Sequence, residues 1–337
     1  MALNIIGIEP AADIRIPPGV AERGTYEDWQ AAIDTAIKVE DCPHWTLGAA
    51  AGFVGPVLAK CGFETCGVNF SGTTSRGKTT AVALAVSPWS SPELTSGGLL
   101  RSMRATENSL ELAARQSNNM VLGLDELAHV DGKTVGRAIY FLSGGISKGR
   151  MAPGQTLQPM FSWRTFVLLS SEKSLAQKVN SDGGQWTGGM AVRFPDVDCS
   201  DVNANVAPET LAAIRSIYRN YGTANMVFRR GFLANRLYEP SRAATLRQKI
   251  LDRATNIAGK TADRARQRAA LPFCADRAMR RARARIWCLT QNGEDRQCCS
   301  MGLGTLRRVA RGAGAQPRGP GTRQSAPVDC RALGQRD

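Results

Sequence analysis

The sequence predicts an α/β fold: a P-loop NTPase-type domain with a mainly parallel sheet flanked by helices, followed by a helical C-terminal part. Three observations predict it. Short apolar runs suited to buried strands (Cys66 to Phe70, Met120 to Leu124, Phe161 to Leu169) alternate with stretches of helical character. A glycine-rich loop, Gly72-Thr73-Thr74-Ser75-Arg76-Gly77-Lys78-Thr79, joins the first run to an apolar helix. The second run leads straight into two carboxylates, Asp125 and Glu126.

The loop matches G-x-x-x-x-G-K-[ST], a pattern with a mechanism. Gly72 and Gly77 let the backbone turn so that its N–H groups can ring a diphosphate. Lys78 brings a point charge to the β- and γ-phosphates, and the Thr79 hydroxyl suits Mg2+. The helix that follows, Thr80 to Val86, is apolar almost all round and directs its positive end at the same anion. Ser87-Pro88 stops it. The expected cofactors are therefore ATP and Mg2+. The expected nucleotide contacts are Gly72, Thr73, Thr74, Ser75, Arg76, Gly77, Lys78, Thr79 and Thr80, with Thr79 and Asp125 at the metal.

Asp125 stands at a strand end, where a carboxylate can hold the water shell of Mg2+. Its neighbour Glu126 would polarise a water for in-line attack on the γ-phosphate. The plain alternative is a solvated strand end. If the carboxylates are catalytic, the strand ending at Leu169 should lie between those of Phe70 and Leu124, the order of NTPases with an extra glutamate. A polar side chain closing that middle strand would touch the γ-phosphate or the attacking water; Ser171 is the choice, with Ser170 and Glu172 as rivals. The run Gly188 to Asp196 reads as a last strand carrying Arg193, either an arginine finger for an adjoining site or a structural ion-pair partner.

The remaining elements are read in order. Residues 1–44 form a lead-in that contains a helix from Tyr26 to Val39 with Trp29, Ile33, Ala36 and Ile37 on one face. A small-residue helical stretch from Trp45 to Leu58 packs beside the nucleotide core, which spans 45–205. Leu99 to Met103 is a candidate strand. Asn108 and Glu111 resemble a capping box opening a helix to Gln116. Val135 to Leu142 is a helix, and the loop Ser143 to Arg150 either sends Lys148 and Arg150 to nucleic acid or a neighbouring subunit, or is simply solvated. Residues 206–273 read as helical. Leu211, Ile214, Ile217 and Tyr218 form one stripe, and Arg229, Arg230, Arg236, Arg242 and Arg247 a solvated face.

Composition is that of a globular protein, with 43% apolar residues and no apolar run long enough to span a bilayer. A basic signal-peptide start is lacking, so a cytoplasmic location is expected. Two histidines and nine cysteines without a C-x-x-C argue against a zinc site or a disulfide framework. The net charge of +14 sits largely in residues 274–337, where 13 Arg and 5 acidic residues leave +8. That tail has no lysine, five of the cysteines and no apolar periodicity. It reads as frame-shifted or as a disordered basic tail that binds nucleic acid.

From Trp45 to about Arg268 the chain resembles the bacterial domain of unknown function 927 family, found in plasmid- and phage-associated primase–helicase proteins. The resemblance rests on His44-Trp45 through Ala59, the loop Gly72 to Thr79, and Leu122 to Glu126. It continues through Ala138 to Leu142 with Lys148-Gly149-Arg150, Gln185, Arg193 with Asp196, and Asn220-Tyr221-Gly222-Thr223-Ala224. It implies a P-loop ATPase core related to ring helicases that works on DNA, with single-stranded DNA, a homo-oligomeric ring and a primase domain or protein as partners, and no membrane. The expected function is Mg2+-dependent ATP hydrolysis coupled to DNA, carried by Lys78, Glu126, Ser171 and Arg193. The alternatives are a nucleotide-binding remnant without motor activity and a small-molecule P-loop kinase.

Overall fold

The computed structural model describes residues 21–94, 98–150, 159–259, 265 and 267–272. Five parallel strands form the sheet: β1 (Cys66–Ser71), β2 (Leu100–Ser102), β3 (Val121–Asp125), β4 (Phe166–Ser171) and β5 (Asp196–Asp198). Their order is β2-β3-β4-β1-β5. Thus β4 lies between β1 and β3, the order expected from the sequence. Its register pairs Val68 with Leu168 on one side and Leu122 with Val167 on the other. All six residues of β4 are buried, which a parallel sheet covered on both faces requires.

Parallel neighbours need crossovers, and helices supply them. Helices α1 (Tyr26–Lys38), α2 (Pro43–Ala51) and α3 (Val54–Lys60) precede β1. After it come α4 (Lys78–Val86), α5 (Glu107–Gln116), α6 (Gly132–Gly144), α7 (Leu175–Ser181) and α8 (Gly188–Arg193). One core cluster joins α1, α2 and α4 to the sheet; a second joins α5, α6, α7 and α8 to the other face. The C-terminal part, α9 (Pro208–Arg215), a short 3-10 turn at 216–218, α10 (Ala224–Ala234) and α11 (Pro240–Ala258), is helical as expected. Ile214 and Ile217 are buried and Tyr218 half-buried.

Helix α4 is buried on every side from Ala81 to Val86, since α2 covers the face that the sheet leaves. Covering Val82, Leu84 and Val86 contributes about 2 kcal/mol each. Gly48 of α2 and Gly52, which caps that helix, lie directly on the Ala81 and Ala85 carbonyls of α4, where a Cβ would collide with backbone. At the far end of α4, Ser87 gathers three partners. Its Oγ accepts from Trp29 Nε1 (2.9 Å) and donates to Leu84 O, and its carbonyl accepts from Gly222 N (2.8 Å).

Several local expectations are corrected. Residues 188–193 are a helix, not a strand: Thr187 caps them and Met190 turns into the core, leaving only Asp196–Asp198 as the edge strand. The cap of α5 is Thr106, whose hydroxyl accepts from Ser109 N, and not Asn108. The run from Phe161 becomes a strand only at Phe166, because Trp163 leaves the ladder to pack and donate to Leu142 O (3.0 Å). Lys148 and Arg150 turn back onto α5, pairing with Glu107 and with Asn108 and Glu111. Arg247 is no solvated residue. It donates to Cys61 O (2.5 Å) and lies 4.5 Å over the Phe63 ring, whereas Arg229, Arg230, Arg236 and Arg242 are exposed as expected. The tail 274–337 lies outside the described residues.

Candidate functional site

The site is built where β1 hands over to α4. Gly72 (φ +139°), Ser75 (φ +62°) and Gly77 (φ +70°) all take positive φ, the backbone pattern that turns consecutive N–H groups into one concavity. Gly77 is irreplaceable for a second reason. The indole of Trp45 occupies the space a Cβ would need and donates from Nε1 to the Gly77 carbonyl at 2.9 Å.

Lys78 opens α4 and is 8% exposed. Its ammonium donates to Gly72 O (2.7 Å) and Thr73 O (2.6 Å), folded over the rim of its own loop. Burial lowers its pKa, opposed by Cys199, Glu172 and Asp125. Arg76 braces the outside, donating to Thr73 Oγ1 (3.1 Å) and to Val202 O (2.7 Å) in the segment after β5. Thr73, Thr74, Ser75 and Thr79 are exposed, and Thr80 is half-buried.

Asp125 is the hub on the β3 side. Its Oδ2 accepts from Thr79 Oγ1 (3.0 Å), and its Oδ1 accepts from Ser170 Oγ (2.6 Å) and Glu126 N (2.8 Å). The loop helix, β3 and β4 therefore meet on one carboxylate. Glu126 sits in the left-handed region (φ +66°, ψ 33°), a conformation a non-glycine residue holds only where its surroundings compel it. Its carboxylate accepts from Ser102 Oγ at the end of β2, away from β1.

Ser171 points elsewhere. It accepts from Asn69 Nδ2 (2.8 Å) and donates to Lys173 O (2.6 Å). Asn69 also donates to Asp196 (2.6 Å), which accepts from Leu175 N at the start of α7. Desolvation pushes the Asp196 carboxyl up to about 6, against the pull of the Asn69 hydrogen bond. Arg193 lies on α8, where it donates to Gly189 O (2.9 Å) and stands 6.0 Å over the Tyr140 ring.

The structure thus brings together Lys78, Thr79, Asp125 and Ser170, places Glu126 beside them but turned toward Ser102, and sets Ser171 and Arg193 in separate contacts. Sequence reasoning missed Ser102 and Asn69, and named Asp196 only beside Arg193 in the family resemblance, without a role. Asn69 left a signal, a lone amide inside a buried apolar strand. Among the described residues no group of three or more His, Cys, Asp or Glu gathers as a metal cage, and no helix is long and apolar enough to cross a membrane.

A parallel sheet in this order, with a glycine loop between β1 and α4, defines a P-loop NTPase-like fold. Residues 7–158 match the model of the family described as "Domain of unknown function (DUF927)". Among solved structures, the fold is similar to one described as "SCCmec type IV Cch - active helicase", with a TM-score of 0.59 and 20% identity. That similarity covers 86% of this chain and 53% of the helicase, so this chain spans about half its length. No curated protein matches the sequence.

Proposed function

We propose that this chain is a Mg2+-dependent ATPase that works on DNA, within a helicase or primase–helicase assembly of a mobile element. The observation that carries the reading is the direct Thr79–Asp125 hydrogen bond at the mouth of a loop whose Lys78 is free of any carboxylate partner in the described hydrogen bonds. A hydroxyl and a carboxylate at one point, beside a concavity of N–H groups, fit a small divalent ion that takes its other ligands from phosphate and water. Bound there, the ion would neutralise charge on the phosphates. Lys78 would leave the Gly72 and Thr73 carbonyls for the β- and γ-phosphates, and Glu126 would orient the attacking water. Ser170, joined to Asp125, is better placed for the metal side than Ser171. Arg193 would act in a neighbouring copy of a ring. The similarity to a helicase supports the DNA-linked part of the reading.

The test is the ATP hydrolysis rate with and without single-stranded DNA for the wild type, Lys78→Ala and Glu126→Gln. Turnover that rises with DNA and is lost in both variants is expected. A second reading, nucleotide binding without turnover, is favoured by the engagement of Glu126 with Ser102. It predicts that wild type binds ATP and releases no phosphate, with or without DNA.

A further inference from the structure

Beside Trp45, whose indole holds the loop at Gly77, lies an imidazole that the ATPase reading leaves unused. His44 stands in the first turn of α2 and is 1% exposed. Its ring lies among aromatic neighbours, 5.8 Å from Trp45 and 6.2 Å from Phe70 of β1, centroid to centroid. Neither Nδ1 nor Nε2 has a hydrogen-bond partner. The polar groups that act on the ring are the backbone of Arg76 and Gly77, which favour its protonated form as carbonyl oxygens do, and the Lys78 ammonium, which opposes it. Burial dominates and takes the pKa down to about 4, so at neutral pH the ring offers one N–H donor and one acceptor.

A buried polar atom left unpaired costs about 1–3 kcal/mol, and a phenyl ring would fill the same space without that cost. The geometry of the peptide unit says what an imidazole there can do. In a trans peptide the C=O and N–H point to opposite sides. The Arg76 carbonyl shares its peptide with the Gly77 N–H, and the Gly77 carbonyl shares its peptide with the Lys78 N–H. A donor that holds either carbonyl from behind therefore turns the matching N–H forward, into the concavity. Trp45 already does this for Lys78, through its bond to Gly77 O (2.9 Å).

We propose that His44 is a positioning residue of the phosphate loop: with Trp45 it forms an aromatic backing that holds the Arg76–Gly77–Lys78 peptides so that their amide protons face the nucleotide phosphates. The proposal rests on reading the loop as a nucleotide site. Donation from the ring to the Arg76 or Gly77 carbonyl is completed when phosphate draws the amide protons forward.

The test is calorimetric binding of MgADP to the full chain for the wild type, His44→Phe, His44→Leu, His44→Gln and Lys78→Ala, with thermal unfolding of each. His44→Phe should melt at or above the wild type, because it removes two orphaned polar atoms, and yet bind MgADP about tenfold more weakly. His44→Gln, which restores a donor, should recover most of that affinity. A merely structural role predicts the opposite pattern, in which binding follows melting temperature. If Phe or Leu does not fold, the folded one decides. Binding by a donor-less variant within twofold of the wild type, while Lys78→Ala is impaired, overturns the proposal, as does equal weakening by Gln and Phe. A wild type that binds no MgADP overturns the nucleotide-site reading itself, and His44's role with it.

Discussion

Thr79 and Asp125, one on the first turn of a helix and the other at the end of a strand two positions away in the sheet, are joined by a 3.0 Å hydrogen bond. Strand β4, which separates β3 from β1 in the sheet, adds Ser170 to the same carboxylate. Asp125→Asn keeps the acceptor that Ser170 and the Glu126 N–H use, replaces the oxygen facing Thr79 with an amide donor that the Thr79 hydroxyl can accept, and removes the charge. It should leave thermal stability close to wild type and reduce ATP hydrolysis on the order of a hundredfold, with the Mg2+ requirement shifted to higher concentration. Phosphate release titrated against Mg2+ checks this, and an unchanged Mg2+ curve would remove Asp125 from the metal site.

Glu126 and Ser102 give a second prediction. A carboxylate that accepts a hydroxyl donor is less available to a water on its other side. Glu126→Gln should reduce turnover by about 10²–10⁴ while leaving ATP binding intact. Ser102→Ala should instead raise basal turnover by a few-fold, the equivalent of about 1 kcal/mol released from one hydrogen bond. Single-turnover rates separate the two, and a Ser102→Ala rate below wild type would show that the serine supports Glu126 in catalysis.

The contact of α2 with α4 predicts stability rather than rate. Ala at Gly48 or Gly52 drives a methyl into the Ala81 or Ala85 carbonyl, which packed helices cannot yield without separating. Each should cost about 1–3 kcal/mol in urea unfolding. Gly144, which has open space where a Cβ would go, is the control, and Gly144→Ala should be near neutral or stabilising.

Asp196 predicts a pH dependence. Its carboxyl titrates near 6 when folded against 3.8 when free, so the folded chain binds the proton more tightly. Its contribution to stability is fully present below about pH 3.8 and is lost as pH rises through about 6. Asp196→Asn, which still accepts from Asn69 and Leu175, should flatten the stability–pH curve between those values. Above pH 6 it should gain at most about 3 kcal/mol. Urea midpoints across pH 4–8 measure it, and parallel curves for the two proteins would contradict it.

Much of the frame was legible because its signals are local and long enough to repeat. The Gly72–Thr79 loop carries its strand and helix with it, and the position of β4 followed from the chemistry that Asp125 and Glu126 imply. What escaped is set by register or by neighbours. Ser170 and Ser171 are indistinguishable in sequence, yet Leu124 pairs with Leu169, so Ser170 falls beside Asp125 and Ser171 faces Asn69. Six residues from Gly188 carry too little pattern to separate a helix from an edge strand, and the burial of Met190 settles it. Lys148 and Arg150 look free until α5 turns Glu107 and Glu111 toward them.

Helix α4 is seized along its whole length: Trp45 grips it at Gly77, Gly48 and Gly52 press on its backbone, and Ser87 at its far end holds Trp29 and Gly222. One rigid helix thus ties the glycine loop at its start to the N-terminal helix α1 and to the turn that launches α10 at its end.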